Sequence, residues 1–186
     1  MSAAPLTPEE LTALELAKTT LRAAGWQEPA VALVVLGRWQ RLYCLGGEGS
    51  CPSWPVSTGR AGFGNQVDSG RTPIGLHRVC ACIGENAPVG AVFKGRIPTG
   101  EVVAEGADDT PDPITTRILW LDGVQEGFNR GPGVDSRARY IYIHGTPRAH
   151  LLGQPVSAGC IRMKNEHVIE LFARVPADTL VLIEPA

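Results

Sequence analysis

Two residues sixteen positions apart carry the chemistry open to this chain. His144 ends the apolar run Tyr140-Ile141-Tyr142-Ile143, and Cys160 sits in the small-residue turn Ser157-Ala158-Gly159-Cys160. A thiol nucleophile needs partial exposure, a base within reach and backbone N–H groups aimed at a developing oxyanion. The alternation from Arg139 to Ile143 predicts a strand, with His144 at its end and projecting into a cleft. Small side chains at Ser157, Ala158 and Gly159 let the backbone turn sharply, so the amides of Ala158, Gly159 and Cys160 can converge on one oxyanion. Arg162 adds a fixed positive charge two residues on, suited to a substrate carboxylate or to bracing the cysteine turn. Each residue alone has a plain structural reading: Cys160 as a small hydrophobe, His144 as a satisfied core histidine. As a pair in this setting they read as a catalytic dyad.

At these residues the chain resembles the L,D-transpeptidase catalytic domain, also called YkuD-like. The resemblance rests on His144-Gly145-Thr146 followed by Ser157-Ala158-Gly159-Cys160-Ile161-Arg162. It extends upstream to Trp54-Pro55-Val56-Ser57-Thr58-Gly59 and to Ser69-Gly70-Arg71-Thr72-Pro73-Ile74-Gly75, and covers about residues 31–183. One departure stands out. Many members carry a second histidine just before the Gly-Cys pair, where this chain has Ala158.

The resemblance implies a cysteine-dependent acyl transfer on peptidoglycan. Cys160 as thiolate would attack the bond between an L-centred diamino acid and the terminal D-alanine of a tetrapeptide stem or muropeptide. His144 would take the proton and later deliver it to the departing amine. The family's usual tautomer-fixing partner is a backbone carbonyl beside the histidine, which makes Gly145 the candidate. Water resolving the thioester gives an L,D-carboxypeptidase, and an amine gives an L,D-transpeptidase. A catalytically silent wall-binding module is a third reading, opposed by an intact His144, Cys160 and Arg162. A metallopeptidase lacks its expected ligand pair, since His144 and His150 straddle a Thr-Pro turn. No cofactor is expected.

A chain of 186 residues, 44% hydrophobic and 19% charged, suits one domain with a sizeable core. A net charge of −2 gives no electrostatic case for nucleic acid or an anionic membrane. No apolar run approaches a membrane span. The N-terminus shows no basic and apolar leader, so the expectation is a cytoplasmic enzyme acting in murein recycling, and hydrolysis is favoured over cross-linking. An export signal preceding this sequence would reverse that. Residues 1–30 are read as a helix packed on the domain of residues 31–186. Thr7, Pro8 and Glu10 form its start, and Leu11, Leu14, Ala17, Leu21 and Ala24 its apolar face. Cys44, Cys51, Cys80 and Cys82 have no usual zinc spacing and read as reduced core thiols.

The remaining pattern predicts strands at Val31–Leu36, Trp39–Leu45, Pro55–Thr58, Ile74–Ile83, Ile118–Leu121 and Thr179–Ile183. A long flap is expected over residues 84–116 and a second mobile loop over 125–137. Asn165 is expected to cap a helix that Pro176 stops. The strand pattern alone supports a β-rich domain with peripheral helices. The resemblance sharpens this to a YkuD-like β-sandwich or mixed barrel.

Overall fold

The structure, a computed structural model, describes residues 6–47, 51–107 and 112–185. The reading of the first residues as free of a leader lies in part outside them, as does stretch 108–111 of the expected flap. The chain is mainly β. Among the described residues, ten strands form one nearly closed sheet, and two α-helices attend it. No helix among these residues is long and apolar enough to cross a membrane.

The first helix, α1 (Pro8–Ala23), starts on a reciprocal cap. The Glu10 N–H donates to Thr7 Oγ1 at 3.2 Å, and the Thr7 N–H donates to the Glu10 carboxylate at 2.8 Å. Its buried stripe is Glu10, Leu14, Ala17 and Leu21. Leu11 and Ala24 were expected on that stripe and are exposed instead. The reason is Glu10, which turns inward so that Tyr43 Oη donates to it at 2.7 Å, with Arg41 3.7 Å away. That bond sets the phase of the helix.

Strand β1 (Ala32–Leu36) is buried along its whole length because it is covered on both faces. Leu33 and Val35 point into the main core, while Ala32, Val34 and Leu36 pack under α1 with Leu14, Leu21 and Trp26. It pairs antiparallel with β2 (Arg41–Leu45) and parallel with β10 (Leu180–Glu184). Trp39, expected in a strand, lies in the short 3-10 turn between β1 and β2. Strand β3 (Ser53–Pro55) edges the sheet beyond β2, and β4 (Gly75–Ile83) joins β10 to the long β7 (Ile114–Gly123). The expected flap is structured: β5 (Ala91–Lys94) and β6 (Ile97–Val102) form a hairpin on β7. Absence of a clear period in the sequence follows from β6 being exposed at every residue, so neither face needed an apolar set.

The far edge of β7 pairs with β8 (Tyr142–Thr146), and β8 pairs in parallel with β9 (Ile161–Lys164). Two bonds then nearly close the barrel. The Ser57 N–H donates to the Arg162 carbonyl at 3.0 Å, and the Arg162 N–H donates to the Ser57 carbonyl at 2.9 Å. Helix α2 (Asn165–Phe172) buries Val168 and Leu171 in the main core. The segment 125–137 is pinned rather than loose: Asn129 Nδ2 donates to the Ile74 and Leu76 carbonyls at 3.1 and 2.9 Å.

Replacing Glu10 by Ala is expected to cost about 1–2 kcal/mol, read as a lower urea midpoint. Burial raises the Glu10 pKa, but hydrogen bonds from Thr7 and Tyr43 and the charge of Arg41 outweigh it and bring it below the usual value. Stability from a depressed carboxylate is present above its unfolded pKa and lost as pH falls through the folded one. The deficit of the variant should therefore be full at pH 7 and shrink toward pH 3. An equal deficit at both would exclude the charged form as the stabilising one.

Candidate active site

Strand alternation sorts the site from the core. Ile143, Ile161 and Met163 face the main core, so their neighbours Tyr142, His144 and Arg162 face the other side, with Cys160 just before β9. The parallel register sets His144 level with Arg162. Cys160 is then the diagonal neighbour of His144 on that face. It packs against the small apolar cluster of Ala91, Phe93, Ile118 and Tyr142, partly open to solvent.

His144 lies in the middle of β8 rather than at its end, and it is buried. The strand begins later than expected because Tyr140 turns the chain with φ +56°, which leaves Arg139 and Tyr140 outside it. His144 Nδ1 donates to the Gly145 carbonyl at 2.8 Å, leaving Nε2 as the acceptor. Burial holds the imidazole down at about 4, with Arg162 adding to the shift and the Gly145 bond and Asp112 opposing it. Gly145 is confined as well as useful. A Cβ there would run into Asn165 Oδ1 and lie 2.7 Å from the Thr115 carbonyl. Asn165 opens α2 from inside, with Lys164 at the cap position, and its Oδ1 accepts from the Thr115 and Thr116 hydroxyls at 2.7 Å each.

The cysteine turn is tied by hydroxyls. Ser157 Oγ accepts from the Gly159 N–H at 3.1 Å and donates to the Cys160 carbonyl. Thr72 Oγ1 donates to the Gly159 carbonyl at 2.9 Å and accepts from the Gly59 N–H at 2.7 Å. This bond explains why the two upstream blocks belong to the same site. Gly159 has φ +125°, and a Cβ there would lie 3.0 Å from the Arg71 carbonyl. Of the three amides expected to face an oxyanion, that of Gly159 is therefore engaged by Ser157. Those of Ala158 and Cys160 take no hydrogen bond among the described residues.

The thiol of Cys160 donates to the Tyr140 carbonyl at 3.5 Å. Burial pushes it up, and the Tyr142 amide, Arg162 and Arg139 offset this only in part. Burial thus favours the neutral form of both the thiol and the imidazole at rest. Proton removal must accompany attack. Arg162 is bound inside the protein: its Nη1 lies 2.9 Å from Asp112 Oδ2, with the two side chains 14% and 2% exposed. Asp112 also accepts from Thr146 Oγ1 at 3.0 Å and sits 3.9 Å from Arg148 Nε. The structure thus gives Arg162 a bracing partner beyond the sequence reading.

Sequence reasoning missed Asp112 and Thr72, and gave Asn165 only as a helix cap, a position that Lys164 holds instead. Thr72 at least stood in a quoted block. Asp112 lay in an acidic stretch without period, and no local signal marks it. Cys44 is buried as expected, but Cys51 is exposed and Cys80 and Cys82 are half-buried, so only one of the four is a core thiol. Among the described residues, no group of three His, Cys, Asp or Glu side chains could hold a metal ion.

Two outcomes follow. Alkylation of Cys160 by iodoacetamide should still be climbing above pH 8 in the free enzyme; a plateau by pH 7 would mean a thiolate–imidazolium pair. Asp112→Asn should lower stability by about 3 kcal/mol, because it leaves Arg162 buried without its counter-charge. An unchanged denaturation midpoint would show that the pair does not hold the end of β8 to β9.

The family model of the L,D-transpeptidase catalytic domain, YkuD, matches residues 29–183. YqjB of Bacillus subtilis (strain 168), named after the L,D-transpeptidases, is 52% identical over 76 residues, which are 40% of this chain and 37% of YqjB. The similarity to this relative thus spans well under half of either protein. Among solved structures, L,D-transpeptidase 3 from Mycobacterium tuberculosis matches with TM-score 0.52 and 19% identity over 84% of this chain and 61% of that one. Bd1075 of Bdellovibrio bacteriovorus matches with TM-score 0.51 and 14% identity over 85% and 48%. These structures speak to the fold, and the family model, with the site residues inside its range, to the lineage. The chain belongs to the L,D-transpeptidase catalytic-domain family.

Proposed function

We propose that this protein is a cysteine acyltransferase acting on peptidoglycan tetrapeptide stems, with water as the acceptor: an L,D-carboxypeptidase. The observation that carries the reading is the neutral His144 imidazole, its Nδ1–H fixed by Gly145, on the same face as the half-open Cys160 thiol.

The steps balance without a co-reactant. The thiol proton passes to His144 Nε2 as the sulfur bonds to the carbonyl carbon of the diamino acid. The resulting oxyanion meets the Ala158 and Cys160 amides. The C–N bond breaks, and His144 returns its proton to the departing amine of the terminal D-amino acid. Water then adds to the thioester with His144 as base, releasing the shortened peptide and regenerating the thiol. Hydrolysis is proposed because a partly exposed thioester meets water without further construction. An amine acceptor wins only where the protein holds it in place and keeps water out. The name of the relative YqjB, after the L,D-transpeptidases, favours the second reading, cross-linking by an amine.

Turnover of a tetrapeptide stem in oxygen-18 water separates the two. The expected products are free D-alanine and a tripeptide carrying the label in its new carboxylate. Unlabelled cross-linked dimer as the main product would return the activity to transpeptidation. Cys160→Ala should lower turnover by several orders of magnitude with the fold retained. Wild-type rates in that variant would remove Cys160 as nucleophile.

A further inference from the structure

The β5–β6 hairpin turns at Gly95 and Arg96, both in the left-handed region at φ +56° and +70°. Such a two-residue turn favours glycine or asparagine at both positions, and a larger side chain there is strained. Arg96 occupies the strained position and reaches down to the wall beside the nucleophile. Its guanidinium lies 4.4 Å from the ring centre of Trp120 and 5.0 Å from that of Tyr140. Its Nη1 donates to Tyr142 Oη at 2.9 Å. Tyr142 and Trp120 belong to the small apolar cluster against which Cys160 packs. Arg137 lies 5.3 Å from the same Trp120 ring. Among the described residues, Arg78 and Arg162 each pair with a carboxylate, whereas Arg96 and Arg137 have no acidic partner.

Direction follows from the chemistry proposed above. His144 must protonate the leaving nitrogen, so the leaving residue lies on the His144–Arg162 side of Cys160. The acyl part of the substrate then lies on the opposite side, along Tyr142 and Tyr140, which is where Arg96 stands. We propose that Arg96, held over the Trp120 and Tyr140 rings and anchored by Tyr142, is a carboxylate subsite for the acyl residue. The enzyme would then select a diamino acid bearing a free side-chain carboxylate over one bearing a carboxamide or a plain amine. An arginine stacked this way is preorganised, and its free N–H groups match the two oxygens of a carboxylate. The selectivity rests on the stem-peptide reading, but the anion subsite does not.

The test therefore has two arms. The first compares alkylation of Cys160 by iodoacetate and by iodoacetamide, which differ in one negative charge. Arg96→Gln should lower the iodoacetate-to-iodoacetamide rate ratio severalfold, while Arg22→Gln, the same charge change on the remote helix α1, should not. An unchanged ratio in Arg96→Gln overturns the subsite. The second arm measures kcat/KM on two tetrapeptides that differ only in a side-chain carboxylate or carboxamide on the third residue. The wild type should prefer the carboxylate, and Arg96→Gln should cut that preference about tenfold or more. Equal loss on both peptides would make Arg96 a brace for the hairpin and overturn the selectivity. A lowered alkylation ratio with neither peptide cleaved by the wild type would support the anion subsite and refute the stem-peptide reading. Should Arg96→Gln fail to fold, Arg96→Lys carries the same peptide comparison. A lysine cannot both stack flat and meet two oxygens, so an undiminished preference there overturns the proposal.

Discussion

Hydrogen bonding between β8 and β9 in parallel register sets Ile143 level with Ile161 and His144 level with Arg162. Because side chains alternate faces, the same register that fills the barrel with Ile143, Ile161 and Met163 delivers His144, Arg162 and the residue before β9 to the opposite side. A slip of one residue would turn His144 into the main core and the isoleucines onto the opposite face. Core packing and the geometry of the candidate site are thus specified by one strand pairing. The tight approach needed there also accounts for Gly145, which leaves room for Asn165 and the β7 backbone.

Burial governs the electrostatics of the pair. The same enclosure that orients His144 removes water from it and holds it neutral, and partial burial raises the thiol of Cys160 as well. Around them Arg139 and Arg162 act on the thiol, Arg60 and Arg148 act on Arg162, and Asp112 is the buried counter-charge. The site is therefore locally basic in a chain whose net charge is −2. Such a local field favours an anion there even though the molecule as a whole is not cationic.

Local chemistry in the sequence made part of this legible. His144, Gly145 and the Ser157–Arg162 block stood out because a nucleophile, its base and small turn residues occur within twenty positions. The capping box of α1 was legible because Thr7, Pro8 and Glu10 fall within one turn of chain. The buried phase of α1 was not, since it depends on Tyr43, thirty-three residues away. Asp112 escaped for the same reason: its partners, Thr146, Arg148 and Arg162, are distant in sequence. The β5–β6 hairpin escaped because an exposed strand has no apolar alternation to read. Proton state was out of reach altogether, being a property of enclosure and not of residue type.

The sheet joins the two ends of the domain. Strand β1 lies between β2 and β10, so Leu33 is paired with Val181 while both of its faces are apolar. During synthesis on the ribosome the N-terminal third is complete long before its parallel partner emerges. Until then β1 presents an unpaired, wholly apolar edge of the kind that recruits other strands. The helix α1, made first and folded from local contacts, shields one face of it in the interval. Closure of the barrel, and with it the bond from Ser57 to Arg162 that completes the cysteine turn, must wait for the chain beyond Arg162. The turn that carries Cys160 is consequently completed only once most of the chain has been made.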